Sequence, residues 1–320
     1  MKKNACIFFV LAFFAGITST VHVVAQLKGS HVLGDAGLQS GTQTMPSIGL
    51  ALPVYFYNAS SLRNSSGDAI NKSPDINMFL TGLGGSIVTN KKILNANYGA
   101  GALIGFASNR IEGNALQAKS PFALTDMYIQ PIQLGWHNKR ADFVAGYALY
   151  LPTGKYSVGG SDNSGLGQWA NEFSGGTTLY FDPKKTFNFS ALASYALNSK
   201  KKDSDIKTGD VLSIEGGLAK TFYKPVQGSH LPMIINAGLV YYMQFKMTDD
   251  KIPVGPITIT GDKDHLYALG AEVNIFLPKI LSSASLRWLG EFGAKNRFQG
   301  NTVMITLAHL LKMMPPAEKK

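Results

Sequence analysis

The sequence predicts an all-β fold, an antiparallel transmembrane β-barrel of about 12 strands of the bacterial outer-membrane kind. Three observations carry this prediction. The chain opens on a secretory leader, the remainder alternates apolar and polar residues with a period of two, and the connections alternate between long and short.

The leader reads from its charge and its length. Lys2 and Lys3 precede an apolar run from Ala5 to Ile17, and Val23-Val24-Ala25 offers a small residue for cleavage. That order is a signal peptide over residues 1–25, with the mature chain starting near Gln26. The run is shorter than the ~20 residues that a spanning helix needs. Cys6, the single cysteine, lies inside the leader, so the mature chain has neither a disulfide framework nor a thiolate metal site.

Composition points the same way. Hydrophobic residues make up 45% and charged residues only 16%, with 34 glycines, 18 Phe and 13 Tyr. Mean hydropathy is nevertheless only +0.03. A wall with one face to lipid and one to water cancels in this way. No internal stretch approaches the ~18 consecutive apolar residues of a helical span. The net charge of +10 sits in short clusters such as Lys91-Lys92, Lys184-Lys185 and Lys200-Lys201-Lys202. These read as solvated turns and loops, some within reach of anionic headgroups, and an exported chain has no nucleic acid partner.

Strand segments are expected near 48–58, 75–89, 96–110, 122–137, 141–154, 169–182, 185–198, 208–221, 232–246, 263–277, 280–292 and 300–310. In the tenth, Tyr267, Leu269, Ala271, Val273 and Ile275 oppose Gly270, Glu272 and Asn274. In the eleventh, Ala284, Leu286, Trp288 and Phe292 oppose Ser285, Arg287 and Glu291. The sixth and eighth alternate equally well; the first, fourth and ninth do so poorly. Long connections (59–74, 111–121, 155–168, 199–207, 247–262) alternate with short ones at Asn90–Asn95, Asn138–Arg140, Pro183-Lys184 and Pro278. An intermediate connection spans 222–231 and the last covers 293–299. Outer-membrane barrels have short periplasmic turns, longer outer loops and, for an even strand number, both termini in the periplasm.

Tyr55, Phe56, Tyr57, Trp136, Tyr150, Tyr180, Phe181, Tyr223 and Phe276 fall near strand ends and are expected to form interfacial girdles. The expected organisation is a signal peptide (1–25), a segment (26–47) that is either a flexible lead-in or a lumen plug, a barrel (48–312) and a polar tail (313–320).

Catalytic signatures are absent. There is no H-E-x-x-H, no complete phosphate loop around Thr153-Gly154-Lys155-Tyr156 and no G-x-S-x-G elbow. No enzyme activity, cofactor or metal is expected. The glycine-rich run Gly159 to Gly167 reads as a mobile outer loop. Charge is more informative. Asp126, Glu172, Glu215, Glu272, Arg287 and Glu291 fall on or near the polar faces of their segments. A charge on the lipid face costs up to ~2–4 kcal/mol at midplane, so these six are the candidate lumen lining. They could brace the barrel, tune passage, or do both.

One block has a family likeness. Asp126-Met127-Tyr128-Ile129-Gln130-Pro131-Ile132-Gln133-Leu134-Gly135-Trp136-His137 leads into Gly146-Tyr147-Ala148-Leu149-Tyr150-Leu151-Pro152-Thr153-Gly154-Lys155-Tyr156. Asn163 to Trp169, Gly176 to Asp182, Asn97-Tyr98-Gly99 and Gly37-Leu38-Gln39-Ser40-Gly41-Thr42 fit as well. The chain resembles the outer-membrane family named for the meta-pathway of phenol degradation. That resemblance implies a transporter or channel for small hydrophobic or aromatic solutes, in contact with outer-membrane lipid and lipopolysaccharide. It supplies no catalytic residues. The alternative is a structural or adhesive barrel that binds a partner through its outer loops. The sequence leaves the oligomeric state open.

Overall fold

In a computed structural model, which describes residues 29–70, 74–113, 117–254, 257–261 and 263–314, the period-two pattern becomes a closed wall. Its strands are β1 (Ser47–Leu62), β2 (Asp75–Ile93), β3 (Ala96–Glu112), β4 (Gln117–Leu124), β5 (Met127–His137), β6 (Ala141–Leu151), β7 (Ala170–Tyr180) and β8 (Phe187–Asn198). There follow β9 (Val211–Lys224), β10 (Met233–Lys246), β11 (Asp250–Val254), β12 (Ile257–Gly261), β13 (His265–Leu277), β14 (Ser282–Lys295) and β15 (Phe298–Met313). Twelve of these form the barrel, each antiparallel to its neighbours, and β15 closes against β1. Closure leaves no unpaired edge in the wall, which a hydrocarbon environment demands. β4 folds back on the outer part of β3, and β11 and β12 form a separate hairpin within one loop. Among the described residues no helix is long and apolar enough to cross a membrane.

Alternation decides which way each side chain points. On β13 Leu266, Ala268 and Glu272 are buried, while Leu269 is 52% exposed. On β14 Arg287, Leu289 and Glu291 are buried, whereas Leu286, Trp288 and Phe292 are exposed. Large apolar side chains such as Leu52, Phe106, Phe143, Phe189, Leu218, Leu239 and Ile305 cover the outside around the ring. In water this belt would be an aggregation surface; in a bilayer it is the lipid contact.

Ser47 pairs with Met313, so the start of β1 and the end of β15 lie at one rim, whereas Gly29, the first described residue, lies at the other. The rim of Ser47 and Met313 also carries the tight turn Leu94-Asn95 between β2 and β3, where both residues have positive φ (51° and 63°). Two left-handed residues in a two-residue loop give the twist that suits a hairpin. The opposite rim carries the connections after β1, β3, β6, β8 and β10 and is the outer one.

Several expectations need correction. The fourth segment is interrupted at Thr125-Asp126 into β4 and β5, and β4 begins inside what reads as the 111–121 loop. The last connection is not a loop over 293–299, because β14 and β15 extend until only Asn296 and Arg297 separate them. Phe56 and Phe181 face outward, Tyr223 is exposed at the inner rim on the inward face of β9, and Tyr55, Tyr57, Tyr150 and Tyr180 are buried inside, so these tyrosines contribute nothing to a girdle. The signal peptide reading and most of the polar tail lie outside the described residues.

Candidate functional site

The inner wall holds the charge that the outer wall excludes. Glu172 on β7, Glu215 on β9, Glu272 on β13, and Arg287 and Glu291 on β14 are all buried. Glu272 and Arg287 occupy paired positions on neighbouring strands, and Arg287 Nε donates to Glu272 Oε2 at 2.8 Å. Glu291 accepts hydrogen bonds from the hydroxyls of Tyr57 (2.9 Å) and Tyr242 (2.7 Å) and from the backbone N–H of Gly300 (2.7 Å). Asp126 stands apart. It lies in the break between β4 and β5 and accepts from the backbone N–H groups of Leu166 (2.7 Å) and Gly154 (3.1 Å). The run Gly159 to Gly167 is tied down close by, where Asn163 Oδ1 accepts from Ser157 N at 2.8 Å and Ser164 Oγ donates to Leu124 O at 2.6 Å.

Residues 29–46 precede β1 and run along this inner wall. At the outer rim Gly29 lies beside Val211, the first residue of β9. His31 is held between two strands, with Nδ1 2.9 Å from Glu172 and Nε2 3.1 Å from Glu215. Glu215 also accepts from the N–H groups of Gly34 (2.8 Å) and Ala36 (3.2 Å). Leu38 N–H donates to Glu272 at 3.1 Å, and Leu38 O accepts from Ser190 Oγ at 2.9 Å. Arg287 donates to Gly34 O. Nearer the inner rim, Thr42 Oγ1 donates to Asp142 at 3.3 Å, and Gln43 Nε2 donates to Gln133 O at 3.2 Å. Leu33 and Leu38 are buried with Ala219, Val240, Tyr242, Leu266 and Leu289 in one apolar cluster. Burying a leucine of this kind contributes ~1.5–3 kcal/mol.

Two glycines let the segment approach so closely. Gly37 has φ +66°, and a Cβ there would meet Arg287 Nη2 at 2.0 Å. A Cβ on Gly41 would fall 2.0–2.5 Å from the backbone of Thr177 on β7. The three-residue 3-10 turn Gly37–Gln39 lies at this close approach, with Gly37 and Leu38 buried.

His31 is thus buried between the carboxylates of Glu172 and Glu215. His31 and Asp35 were not among the residues singled out from sequence. Their spacing of four in a polar, glycine-rich segment gives no hint of which carboxylates they meet. Asp142 was likewise missed; it is buried at the inner end of β6 and bound by Lys185 (3.0 Å) and Tyr180 (2.7 Å).

The family model described as "Putative MetA-pathway of phenol degradation" matches residues 59–307. The chain belongs to that family. The match takes in the wall from β1 to β15 but begins after the lumenal segment and its Gly37 and Gly41. Among solved structures, an outer membrane channel from Pseudomonas putida F1 shares the barrel with a TM-score of 0.69 at 10% identity, covering 88% of this chain and 100% of that one. The β domain of the Bordetella autotransporter BrkA aligns with a TM-score of 0.50 at 10% identity, covering 83% of this chain and all of that one. Such likeness speaks to the fold. No curated protein matches. Membership of the phenol-degradation family, together with the closed barrel, places the protein in the bacterial outer membrane.

Proposed function

We propose that this protein is a passive outer-membrane channel for small hydrophobic or aromatic solutes, with residues 29–46 serving as its plug. The observation that carries the reading is the row of wall contacts made by His31, Gly34, Ala36, Leu38, Thr42 and Gln43 from one rim to the other. A barrel of this strand number has a narrow lumen, and one strand-width of chain is enough to obstruct it. The apolar stretch formed by Leu33, Leu38, Val240, Leu266 and Leu289 inside the wall supports an apolar cargo, as does the family's description. We assign no catalytic role to any residue. Glu172, Glu215, Glu272, Arg287 and Glu291 act as bracing and as anchors for the plug rather than as a selectivity ring, and Asp126 holds the outer loop instead.

The test is liposome swelling and planar-bilayer conductance with the mature chain and with a variant lacking residues 29–45. Flux of small aromatic solutes that rises severalfold on deletion supports the proposal. Absence of flux for every solute, even after deletion, overturns it.

A further inference from the structure

We propose that His31, Asp35 and Glu215 form a binding site for a divalent transition-metal ion, with Zn²⁺ the best fit, which clamps the N-terminal segment to β9. Three donor atoms converge on one point. His31 Nε2 lies 3.1 Å from Glu215 Oε1 and 3.8 Å from Asp35 Oδ1, and the three ligand atoms lie within 4.8 Å of one another. Zinc takes imidazole nitrogen at ~2.0–2.1 Å and carboxylate oxygen at ~2.0–2.2 Å in tetrahedral array, which sets ligand-to-ligand separations near ~3.4 Å. The two separations from Nε2 bracket that value.

The surroundings are those of a metal-bound histidine. The other ring nitrogen, Nδ1, lies 2.9 Å from Glu172 Oε2. A carboxylate accepting from the distal ring N–H fixes the tautomer and turns the lone pair of Nε2 toward the metal. That lone pair then faces the carboxylate oxygens of Glu215 and Asp35, and a cation among them would bridge all three groups. Three carboxylates, those of Glu172, Glu215 and Asp35, gather around His31, whereas Arg287, the nearby guanidinium, is engaged by Glu272 and Gly34 O. The backbone N–H groups of Gly34 and Ala36 already orient the Glu215 carboxylate. The Asp35 side chain is 52% exposed, which leaves an approach from the lumen and a coordination position for water. One imidazole with two carboxylates suits zinc and its neighbours, whereas Mg²⁺ and Ca²⁺ favour all-oxygen sets.

The experiment uses the untagged full chain in detergent, freed of metal with a chelator. It is titrated with Zn²⁺ by calorimetry, and bound metal is counted after gel filtration. The expected result is one Zn²⁺ per chain at micromolar or tighter affinity, undiminished by millimolar Mg²⁺, with affinity at least 100-fold weaker in His31→Ala and in Asp35→Asn. Both substitutions precede β1, and heat-modifiable gel migration verifies that their barrels are folded. No Zn²⁺ bound by the wild-type chain, or binding as tight in both variants as in the wild type, overturns the proposal and leaves His31 hydrogen-bonded to Glu172 and Glu215 without a metal. Because binding is read without any flux, it stands or falls separately from the channel proposal.

Discussion

Arg287 and Glu272 face each other across the β13–β14 ladder, and each also holds the N-terminal segment, Arg287 through Gly34 O and Glu272 through Leu38 N–H. The pair therefore couples wall to segment. Removing one partner of a buried pair costs ~3–5 kcal/mol, because the other charge is left uncompensated. Arg287→Met is expected to lower the unfolding midpoint of the barrel in urea and to raise its conductance. The double variant Arg287→Met/Glu272→Gln should recover part of the lost stability but none of the closure.

Gly37 and Gly41 offer a way to unseat the segment without touching the wall. Any side chain at either position collides, with the Arg287 guanidinium in one case and the Thr177 backbone in the other. Gly37→Val and Gly41→Val are expected to raise conductance severalfold while heat-modifiable migration is retained. They should also expose the segment to added protease. Wild-type conductance in both would show that the segment does not obstruct the lumen.

Glu291 satisfies two buried phenols. Each polar group left buried without its partner costs ~1–3 kcal/mol. Glu291→Ala is therefore expected to destabilise the barrel by a few kcal/mol, measured by urea-dependent loss of tryptophan fluorescence. Adding Tyr57→Phe and Tyr242→Phe removes the hydroxyls that had donated to Glu291 and should restore part of that loss.

The direction of the wall is tested by depth. Leu239, 52% exposed midway along β10, faces lipid, so Leu239→Arg is expected to cost ~2–4 kcal/mol. Phe222 also faces outward but lies near the inner rim, and Phe222→Arg should cost only ~0–1 kcal/mol. Equal losses at the two positions would contradict the placement of the bilayer.

Asp126 holds loop backbone rather than lumen. Asp126→Ala is expected to speed proteolytic nicking of residues 155–168 and to leave the unfolding midpoint of the wall unchanged. A large drop in the midpoint would show that the break between β4 and β5 bears on the barrel itself.

The strands were legible wherever one face meets lipid and the other does not. β13 and β14 follow the expected alternation residue by residue. The pattern fades above the membrane, where both faces of a strand meet water and no selection for alternation operates. That is why β1 continues through Asn58-Ala59-Ser60-Ser61 to Leu62, and why β14 and β15 run up to Asn296-Arg297 beyond the expected ends. Inward charge was legible from the cost of placing it outward. Its partners were not, since His31 and Glu172 are 141 positions apart and meet only once the wall has curved. The inward tyrosines were misassigned because an aromatic near a strand end reads the same on either face.

The seam of the ring lies between the first strand and the last, and the N-terminal segment attaches mainly to strands made between them. Its contacts on β7, β9 and β13 involve neither strand of that seam. The seat of the strap and the lock of the ring are thus separate sets of bonds, and opening the seam would leave the strap attached.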